Sequence, residues 1–159
     1  MRGELEYKIP RKGLTVWRLY GLIYTFFLSV IAGTISFLTY QFDWSAAIYF
    51  ISASVVLIAA IALIWLFPKI RWDHWRYEVR EQEIEIQSGL FVVKRTLIPM
   101  VRVQHVDTMQ GPILKKYDLA NIAISTAATT HVIPMLITEE ADHLRERISE
   151  LARVAEDDV

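Results

Sequence analysis

Two long apolar stretches decide the fold: LYGLIYTFFLSVIAGTISFLTY from Leu19 to Tyr40, and WSAAIYFISASVVLIAAIALIWLF from Trp44 to Phe67. The first has 22 residues and the second has 24, and neither contains Asp, Glu, Lys, Arg or His. At about 1.5 Å of rise per helical residue, each stretch is long enough to cross the roughly 30 Å hydrocarbon core of a bilayer. The sequence therefore predicts two transmembrane helices.

The connection between the two stretches is short and carries no basic residue. It consists of Gln41, Phe42 and Asp43, which predicts a tight antiparallel hairpin. Basic residues lie on the other side of both spans, at Arg2, Lys8, Arg11, Lys12, Arg18, Lys69 and Arg71. Because lysine and arginine collect on the cytoplasmic side of membrane helices, we expect a multi-pass protein of the cell membrane with both termini in the cytoplasm. A cleavable signal peptide is disfavoured, because the first stretch is too long and a second follows at once.

Small residues recur on one face of each stretch, at Ser29, Gly33 and Ser36 and at Ala46, Ala53 and Ala60. They either form the contact between the helices or reflect the abundance of small residues in membrane helices in general. Pro68 marks the expected exit of the chain from the bilayer, since proline does not easily continue the helical hydrogen-bond ladder. The lack of ionisable side chains inside the spans disfavours a channel or a transporter.

Composition excludes several function classes. The 159 residues are 53% hydrophobic and 22% charged, and 17 basic residues nearly balance 18 acidic ones. This balance disfavours a nucleic-acid partner, which would need a basic footprint. With no cysteine in the sequence, disulfide frameworks, thiol catalysis and cysteine-based zinc sites are excluded.

After Trp72 the apolar residues alternate with polar ones, which is typical of half-buried antiparallel strands. A turn at Glu81 and Gln82 and another at Ser88 and Gly89 separate the first strands. The predicted strands centre on Trp75 to Val79, Ile84 to Ile86, Leu90 to Ile98 around Phe91, Val92 and Val93, Val101 to Val103, Ile122 to Ile124 and His131 to Met135. A short helical turn is expected at residues 112–117, where Pro112 suits a first helical position.

The chain closes with a helical period. Ala141, Leu144, Ile148, Leu151 and Ala155 share one face, and Thr138 is the expected N-cap. The predicted organisation is a basic cytoplasmic N-terminal segment at 1–18, a two-helix hairpin at 19–67 with spans 19–40 and 44–67, a sheet domain at 72–155 and an acidic tail at 156–159. The fold class is thus a membrane α-helical hairpin plus an α+β cytoplasmic domain.

Six short motifs resemble one family, the YdbS-like bacterial membrane proteins with a pleckstrin-homology-like domain. The motifs are RVQHVD at 102–107, QGP at 110–112, YDLA at 117–120, ISTA at 124–127, HVIP at 131–134 and EADHLR at 140–145. Asp118 departs from the pattern, since family members often carry glycine there. Aspartate tolerates a left-handed backbone better than most residues, which would leave the turn unchanged.

The resemblance implies curved antiparallel β-sheets, or a barrel, capped by a C-terminal helix. It implies no catalytic residues and no cofactor. Some family members are similar to proteins encoded beside a longer membrane protein with several such domains, which suggests a kind of partner.

The one pair of side chains with a catalytic or metal-binding pattern is His105 and Asp107. Two residues apart on a strand, they share a face, and a third ligand would have to come from His131 or His74. The favoured interpretation is that His105 fixes a turn by hydrogen bonding, because two ligands alone rarely hold a metal.

Two sets of polar residues are candidate contact sites. Lys94, Arg95, Arg102, Lys115 and Lys116 either form a basic surface for anionic lipid headgroups or are ordinary solvated residues. Gln104, Thr108, Gln110 and the segment Ser125 to Thr130 lie at strand ends or in loops, where a protein partner docks readily.

The sequence thus favours a non-enzymatic interaction module, anchored in the lipid bilayer, that assembles as a homo-oligomer or with a larger membrane protein carrying similar domains. The alternative function is recognition of anionic lipid headgroups or a small ligand by the membrane-proximal face of the domain.

Overall fold

The computed structural model describes residues 5–157, with side chains up to residue 155. Along the chain it contains β1 Tyr7–Lys8, α1 Arg11–Gln41, α2 Ala47–Ile61, α3 Phe67–His74, β2 Arg76–Val79, β3 Glu83–Ser88, β4 Lys94–Pro99, β5 Val103–Met109, α4 Pro112–Lys116, β6 Leu119–Thr126, β7 Thr130–Ile137 and α5 Thr138–Asp157. A π-helical turn, Ala62–Leu66, joins α2 to α3, and a 3-10 turn, Met100–Arg102, joins β4 to β5.

The chain divides into two compact units. Residues 17–70 form one unit, here the helical unit. Residues up to 16, together with residues from 71 onward, form the other, here the sheet unit.

Two helices, Arg11–Gln41 and Ala47–His74, are long and apolar enough to cross a membrane. In their most apolar windows only 6% and 0% of the residues are buried, whereas the core helix of a soluble protein would be mostly buried. The two predicted apolar helices are therefore confirmed. The first one starts at Arg11, ahead of the predicted Leu19, because its opening turns belong to the sheet unit.

The second helix continues through Pro68 to His74, although the proline was expected to interrupt its hydrogen-bond ladder; the exit from the bilayer at Pro68 stays a prediction. A proline removes one hydrogen bond and crowds the carbonyl four residues before it. Here a π-helical turn comes directly before the proline, and the amide of Phe67 donates to the carbonyl of Ala62, five residues back. The wider turn changes the bonding pattern where the proline would strain it, and the helix goes on.

The close contact between the two helices is at Gly21. A β-carbon there would collide with the carbonyl oxygen of Leu63, inside the π-helical turn. A β-carbon on Gly33 would meet nothing within 4 Å, so at this position the second of the two alternatives, the general abundance of small residues in membrane helices, is favoured. Spacing of small residues alone does not find the contact, because it depends on where the partner backbone comes nearest.

A side chain at Gly21 should therefore destabilise the helical unit. We expect Gly21→Leu to lower the free energy of unfolding by about 1–3 kcal/mol, the usual effect of overpacking. Gly33→Leu is the matched control and should leave it unchanged. Thermal unfolding in detergent micelles, followed by circular dichroism, checks the pair, and equal losses in both variants would contradict the assignment of the contact.

The sheet unit contains two antiparallel sheets, with strand orders β1-β2-β3-β4 and β5-β6-β7. Its core is apolar, and the largest side chains with under 2% exposure include Ile84, Met100, Leu119, Ile122, Ile124, Ile133, Leu136 and Ile148. Helix α5 packs against β5 and the 3-10 turn, burying Ala141 and Ile148. The predicted succession of antiparallel strands and a C-terminal amphipathic helix is confirmed.

The N-terminal segment belongs to this fold rather than standing apart from it. Strand β1 pairs with β2, with Tyr7 opposite Tyr77 and Lys8 opposite Arg76. Leu5 and Ile9 are 2% and 1% exposed. The predicted basic segment at 1–18 thus contains an edge strand, Tyr7–Lys8, with the apolar residues Leu5 and Ile9 buried to either side of it in sequence. Its residues 1–4 lie outside the described residues.

Tyr77 shows how firmly β1 covers β2. The rings of Tyr7 and Tyr77 stack with their centroids 5.6 Å apart. Burial, together with the charge of Glu140 and the neighbouring Tyr7, raises the pKa of Tyr77 to about 12. The neutral phenol is therefore favoured in the folded protein, and this contribution to stability is lost as pH rises from about 10 through about 12.

The prediction that Phe91, Val92 and Val93 form a strand is wrong. Strand β4 starts at Lys94, and these residues lie in the turn after β3. Gly89 adopts a φ of +153°, and a β-carbon there would collide with the carbonyl oxygen of Val92, so the chain folds back too tightly for pairing. Periodicity could not show this, because the apolar run looks like a buried strand.

The structure describes only the first half of the predicted acidic tail at 156–159. Helix α5 extends to Asp157, while residues 158–159 lie outside the described residues.

Asp118 adopts the left-handed conformation expected at the position where the family often has glycine, with a φ of 56°. The carbonyl of Asp118 accepts a hydrogen bond from the amide of Thr138, which ties the start of β6 to the start of α5. A second left-handed residue, Met135, was not predicted. It has a φ of 61°, and its amide donates to the side-chain oxygen of Asn121 at 2.9 Å, beside an irregularity in the β6–β7 register.

The left-handed turn at Asp118 can be tested directly. Asp118→Val should lower the free energy of unfolding by about 1–2 kcal/mol, because a β-branched residue is strained at positive φ. Asp118→Gly should retain full stability. Both are exposed-site changes, so thermal unfolding in detergent reports backbone strain alone. Equal stability of the valine and glycine variants would contradict the geometry.

Candidate functional site

An open groove of about 680 Å³ brings several of the candidate residues together. It lies where the 3-10 turn, the β6–β7 turn and the last turns of α5 meet. We call it the Arg102 groove, and its lining includes Arg102, Gln104, Thr126, Ala127, Ala128 and Ala152. The two segments from which a docking role was expected, around Gln104 and at 125–130, thus share one site.

The 3-10 turn that carries Arg102 is firmly held. Met100 is fully buried, and its amide donates to the carbonyl of Gln82 at 2.9 Å. Pro99 ends β4 in an extended conformation and the turn follows at once. A proline offers no amide for further pairing, so the strand stops here. Arg102 itself is exposed at the groove.

The opposite wall is an equally well-ordered turn. The amide and the hydroxyl of Thr126 both donate to the carbonyl of Thr129, at 3.0 and 2.8 Å. The amide of Thr129 donates back to the Thr126 hydroxyl at 3.2 Å. Between them Ala127 and Ala128 are exposed, and Ala152 of α5 faces the same space. Three methyl side chains leave the volume open, so the groove results from small residues on rigid turns.

Electrostatics at the groove are set by Arg102. Within the described residues, no carboxylate lies within ion-pair distance of its guanidinium. A guanidinium presents five donors in a planar fork that fits a carboxylate or a backbone carbonyl pair. The groove therefore offers one cation, hydrogen-bonding hydroxyl and amide groups, and small apolar surfaces.

His105 and Asp107 do form a pair, but not a metal site. Their side chains are 3.8 Å apart and are 63% and 61% exposed. His131 cannot complete the set: it pairs with Ile124, which pairs with Val106, so it lies on the other face of the sheet. Among the described residues, no group of three His, Cys, Asp or Glu is placed to hold a metal ion.

Gln110 has an internal role. Its side-chain amide donates to the carbonyl of Leu119 at 2.9 Å and to the hydroxyl of Thr138 at 3.1 Å. The side chain thereby joins the end of β5 to the starts of β6 and α5. A docking role was expected for Gln110 from its position at a strand end or in a loop, and the sequence pattern did not indicate this internal link.

The basic candidates occupy three places. Lys94 and Arg95 open β4, and Arg95 donates to Gln87 at 2.9 Å. Arg102 lies beside the β5 end that pairs with Thr126, whereas Lys115 and Lys116, on α4, lie past the other end of β5. Arg102 and the two lysines of α4 thus lie at opposite ends of the three-stranded sheet, whereas Lys94 and Arg95 lie on the four-stranded sheet.

Sequence reasoning missed a charge cluster at the β2–β3 turn. The guanidinium of Arg80 binds both carboxylate oxygens of Glu78 at 2.9 Å and one oxygen of Glu83 at 3.1 Å. The hydrogen bond from Arg80 lowers the pKa of Glu78 and raises that of Arg80. Glu85, 6% exposed, pairs opposite Glu78 and lies 3.9 Å from Arg80 and from Arg95. The sequence signal that could have predicted this cluster is the alternation of glutamates at positions 83 and 85, close to Arg80.

The internal role of Gln110 gives a test. Gln110→Ala should lower the free energy of unfolding by about 1 kcal/mol, and Gln110→Glu by at least as much, because a carboxylate cannot donate to the Leu119 carbonyl. Gln104→Ala is the matched control and should unfold like the unsubstituted protein. Thermal unfolding in detergent distinguishes them; full stability of Gln110→Glu would instead leave Gln110 as a contact residue.

Comparison with known proteins gives matches over most of the chain. Residues 18–152 match the family described as Bacterial PH domain. The chain is 52% identical over 159 residues to the UPF0699 transmembrane protein YdbS of Bacillus subtilis (strain 168), covering 100% of both chains. It is 30% identical over 105 residues to the UPF0699 transmembrane protein YdbT of the same organism, covering 60% of this chain and 21% of that relative. No solved structure matches.

Proposed function

This chain belongs to the bacterial PH domain family, and we propose that it is a membrane-anchored, non-enzymatic interaction module that assembles through the Arg102 groove. The two apolar helices form a hairpin that crosses the cell membrane twice, with both termini in the cytoplasm. Their exposed apolar surfaces and the basic residues flanking them support this placement. The sheet unit is then held at the cytoplasmic face.

The observation that carries the proposal is the groove itself. It is open, about 680 Å³ in volume, and built on two turns that are fixed by internal hydrogen bonds. A rigid site loses little conformational freedom when a partner binds. The exposed guanidinium of Arg102 and the small alanine surfaces suit a peptide segment with an acidic side chain or a free carbonyl group, such as a loop of another protein.

A second membrane protein with similar domains, or a second copy of this chain, is the proposed partner. One relative, YdbT, carries a stretch similar to 60% of this chain within a longer protein. A stretch similar to part of this chain therefore occurs within a longer transmembrane protein, of which it covers 21%. Proteins confined to one membrane meet at a raised effective concentration, so a modest groove is enough for assembly.

A non-enzymatic role fits the chemistry of the groove. Arg102, Gln104, Thr126 and the alanines include no general base beside a nucleophile. The side chains of His105 and Asp107 are exposed, and among the described residues no third His, Cys, Asp or Glu joins them to hold a metal ion.

Assembly can be tested with the full-length protein in its native membrane. Arg102→Glu reverses the charge of the groove, and Ala128→Trp fills it from an exposed position. Each should reduce the partner or oligomer recovered after cytoplasmic crosslinking and affinity purification by at least about tenfold, equivalent to about 1.4 kcal/mol. Arg147→Glu, an exposed charge reversal on α5 outside the groove lining, is the control and should retain full recovery.

The outcomes separate clearly. Loss in both groove variants, with retention in the control, supports assembly through the groove. Equal recovery in all three variants excludes the groove as the contact. Recovery of a monomer alone from the unsubstituted protein contradicts an assembly role altogether.

A further inference from the structure

The most exposed large apolar side chains described in the sheet unit are adjacent to each other. Phe91 is 78% exposed and Val92 is 80% exposed, and Val93 follows at 46%. Scattered single apolar residues on a surface are ordinary, but a run of them on one turn indicates an interaction surface. We call residues 90–93 the apolar tip.

The apolar tip is held in a compact turn. Gly89 has a φ of +153°, and its missing side chain lets the carbonyl of Val92 come so close that a β-carbon would collide with it. Strands β3 and β4 pair up to Ser88 and Lys94 at the base of the turn. The side chains of Phe91 and Val92 are thus presented on a short, supported turn at the end of a sheet.

The strand register places the tip at one particular end of that sheet. Arg76 pairs with Gln87 and Lys8 pairs with Arg76, so the tip, the end of β1 and the start of β2 lie at the same end. The chain leaves this end from Lys8 into α1 and returns to it from α3. The indole NH of Trp72 donates to the carbonyl of Ile9 at 2.9 Å and fixes these two connections to each other.

Charge is divided between the two ends of the sheet. At the tip end are Lys8, Arg76, Lys94 and Arg95. At the other end the β2–β3 turn carries Glu81 and Glu83. Lysines and arginines beside exposed apolar side chains complement an anionic bilayer surface, since the cations bind headgroups while apolar groups enter the acyl boundary.

We infer that the apolar tip inserts into the lipid interface and is a third membrane contact of this protein, additional to the two apolar helices. The ligand is a bilayer with anionic headgroups. Phe91 and Val92 enter the lipid interface, and Lys94 contacts the headgroups. The inference rests on the membrane anchoring proposed above. A third contact would limit rotation of the sheet unit about the two chain segments that connect it to the apolar helices.

A convex tip fits a bilayer better than a protein partner. In a protein interface, an aromatic anchor such as Phe91 typically fills a pocket of the partner. Polar residues that form hydrogen bonds with the partner surround it. Here the neighbours of the tip are cations at the end of the sheet where the chain connects to the apolar helices. Cations beside exposed apolar side chains are the chemistry that an anionic bilayer surface binds.

The chain contains no cysteine, so single-cysteine variants can be labelled without background. The full-length protein would carry an environment-sensitive nitrobenzoxadiazole label at Val92→Cys, Glu81→Cys or Ile51→Cys. Glu81 is an exposed residue of the turn at the opposite end of the same sheet, and Ile51 reports the anchoring helix. Each protein is reconstituted in vesicles of phosphatidylcholine and phosphatidylglycerol that contain brominated lipid.

Brominated lipid should quench the label at position 92 at least about threefold more than the label at position 81, and should quench position 51 as well. Equal quenching at positions 92 and 81, with position 51 quenched, overturns the inference while leaving the anchoring intact. Absence of quenching at position 51 overturns the anchoring itself. Protection of position 92 from aqueous iodide without quenching by lipid would assign the tip to a protein contact instead, and would also overturn the inference.

A charge reversal at Lys94 tests the contact with the headgroups separately. Lys94→Glu should reduce the lipid quenching at position 92 in vesicles containing phosphatidylglycerol and leave it unchanged in phosphatidylcholine alone. Lys116→Glu, on α4, is the matched control and should change neither. The same loss in both vesicle types would indicate a distorted turn rather than a lost headgroup contact, and would overturn the role of Lys94.

Discussion

The pairing of β1 with β2 is the constraint on which the rest of the structure depends. Lys8 lies opposite Arg76, so the strand before the apolar helices and the strand after them are neighbours in one sheet. The 67 residues between them must therefore leave and return at the same end of that sheet. The proposed hairpin would satisfy this requirement, because two antiparallel helices begin and end on one side. Pairing of the edge strand β1 with β2 thus brings the two chain connections to the helices together at one end of the sheet.

This constraint gives the sheet unit a polarity that its composition does not show. The net charge of the chain is −1, yet cations gather at the end where the chain connects to the helices, and glutamates gather at the other. Arg80 neutralises part of the acidic end by binding Glu78 and Glu83. A uniformly mixed surface would leave the orientation of the unit unspecified, whereas separated charges favour one end toward an anionic surface.

The family and most of the elements were predictable from sequence, and the errors have a common cause. Apolar periodicity correctly gave the two helices, most strands and the C-terminal helix, and the motifs gave the family. It failed where backbone geometry overrides side-chain pattern: at Gly89, whose positive φ turns the run 91–93 outward, and at Pro68, where a π-helical turn lets the helix continue. It also failed for the contact at Gly21, which depends on a partner backbone far away in sequence. The Arg102 groove was predicted only as two separate polar segments, because strand register decides which loops meet.

Strand β4 connects the two surfaces to which roles have been assigned. Lys94 opens it beside the apolar tip, and Pro99 ends it at the 3-10 turn that carries Arg102. An extended strand of six residues spans about 20 Å at about 3.3 Å per residue. The register fixes these ends, since Ser88 pairs with Lys94 and Glu83 with Pro99. If both proposals hold, a bilayer contact at the first end would leave the turn at the second end about one strand length from the lipid, so that β4 would separate the proposed lipid contact from the proposed protein contact.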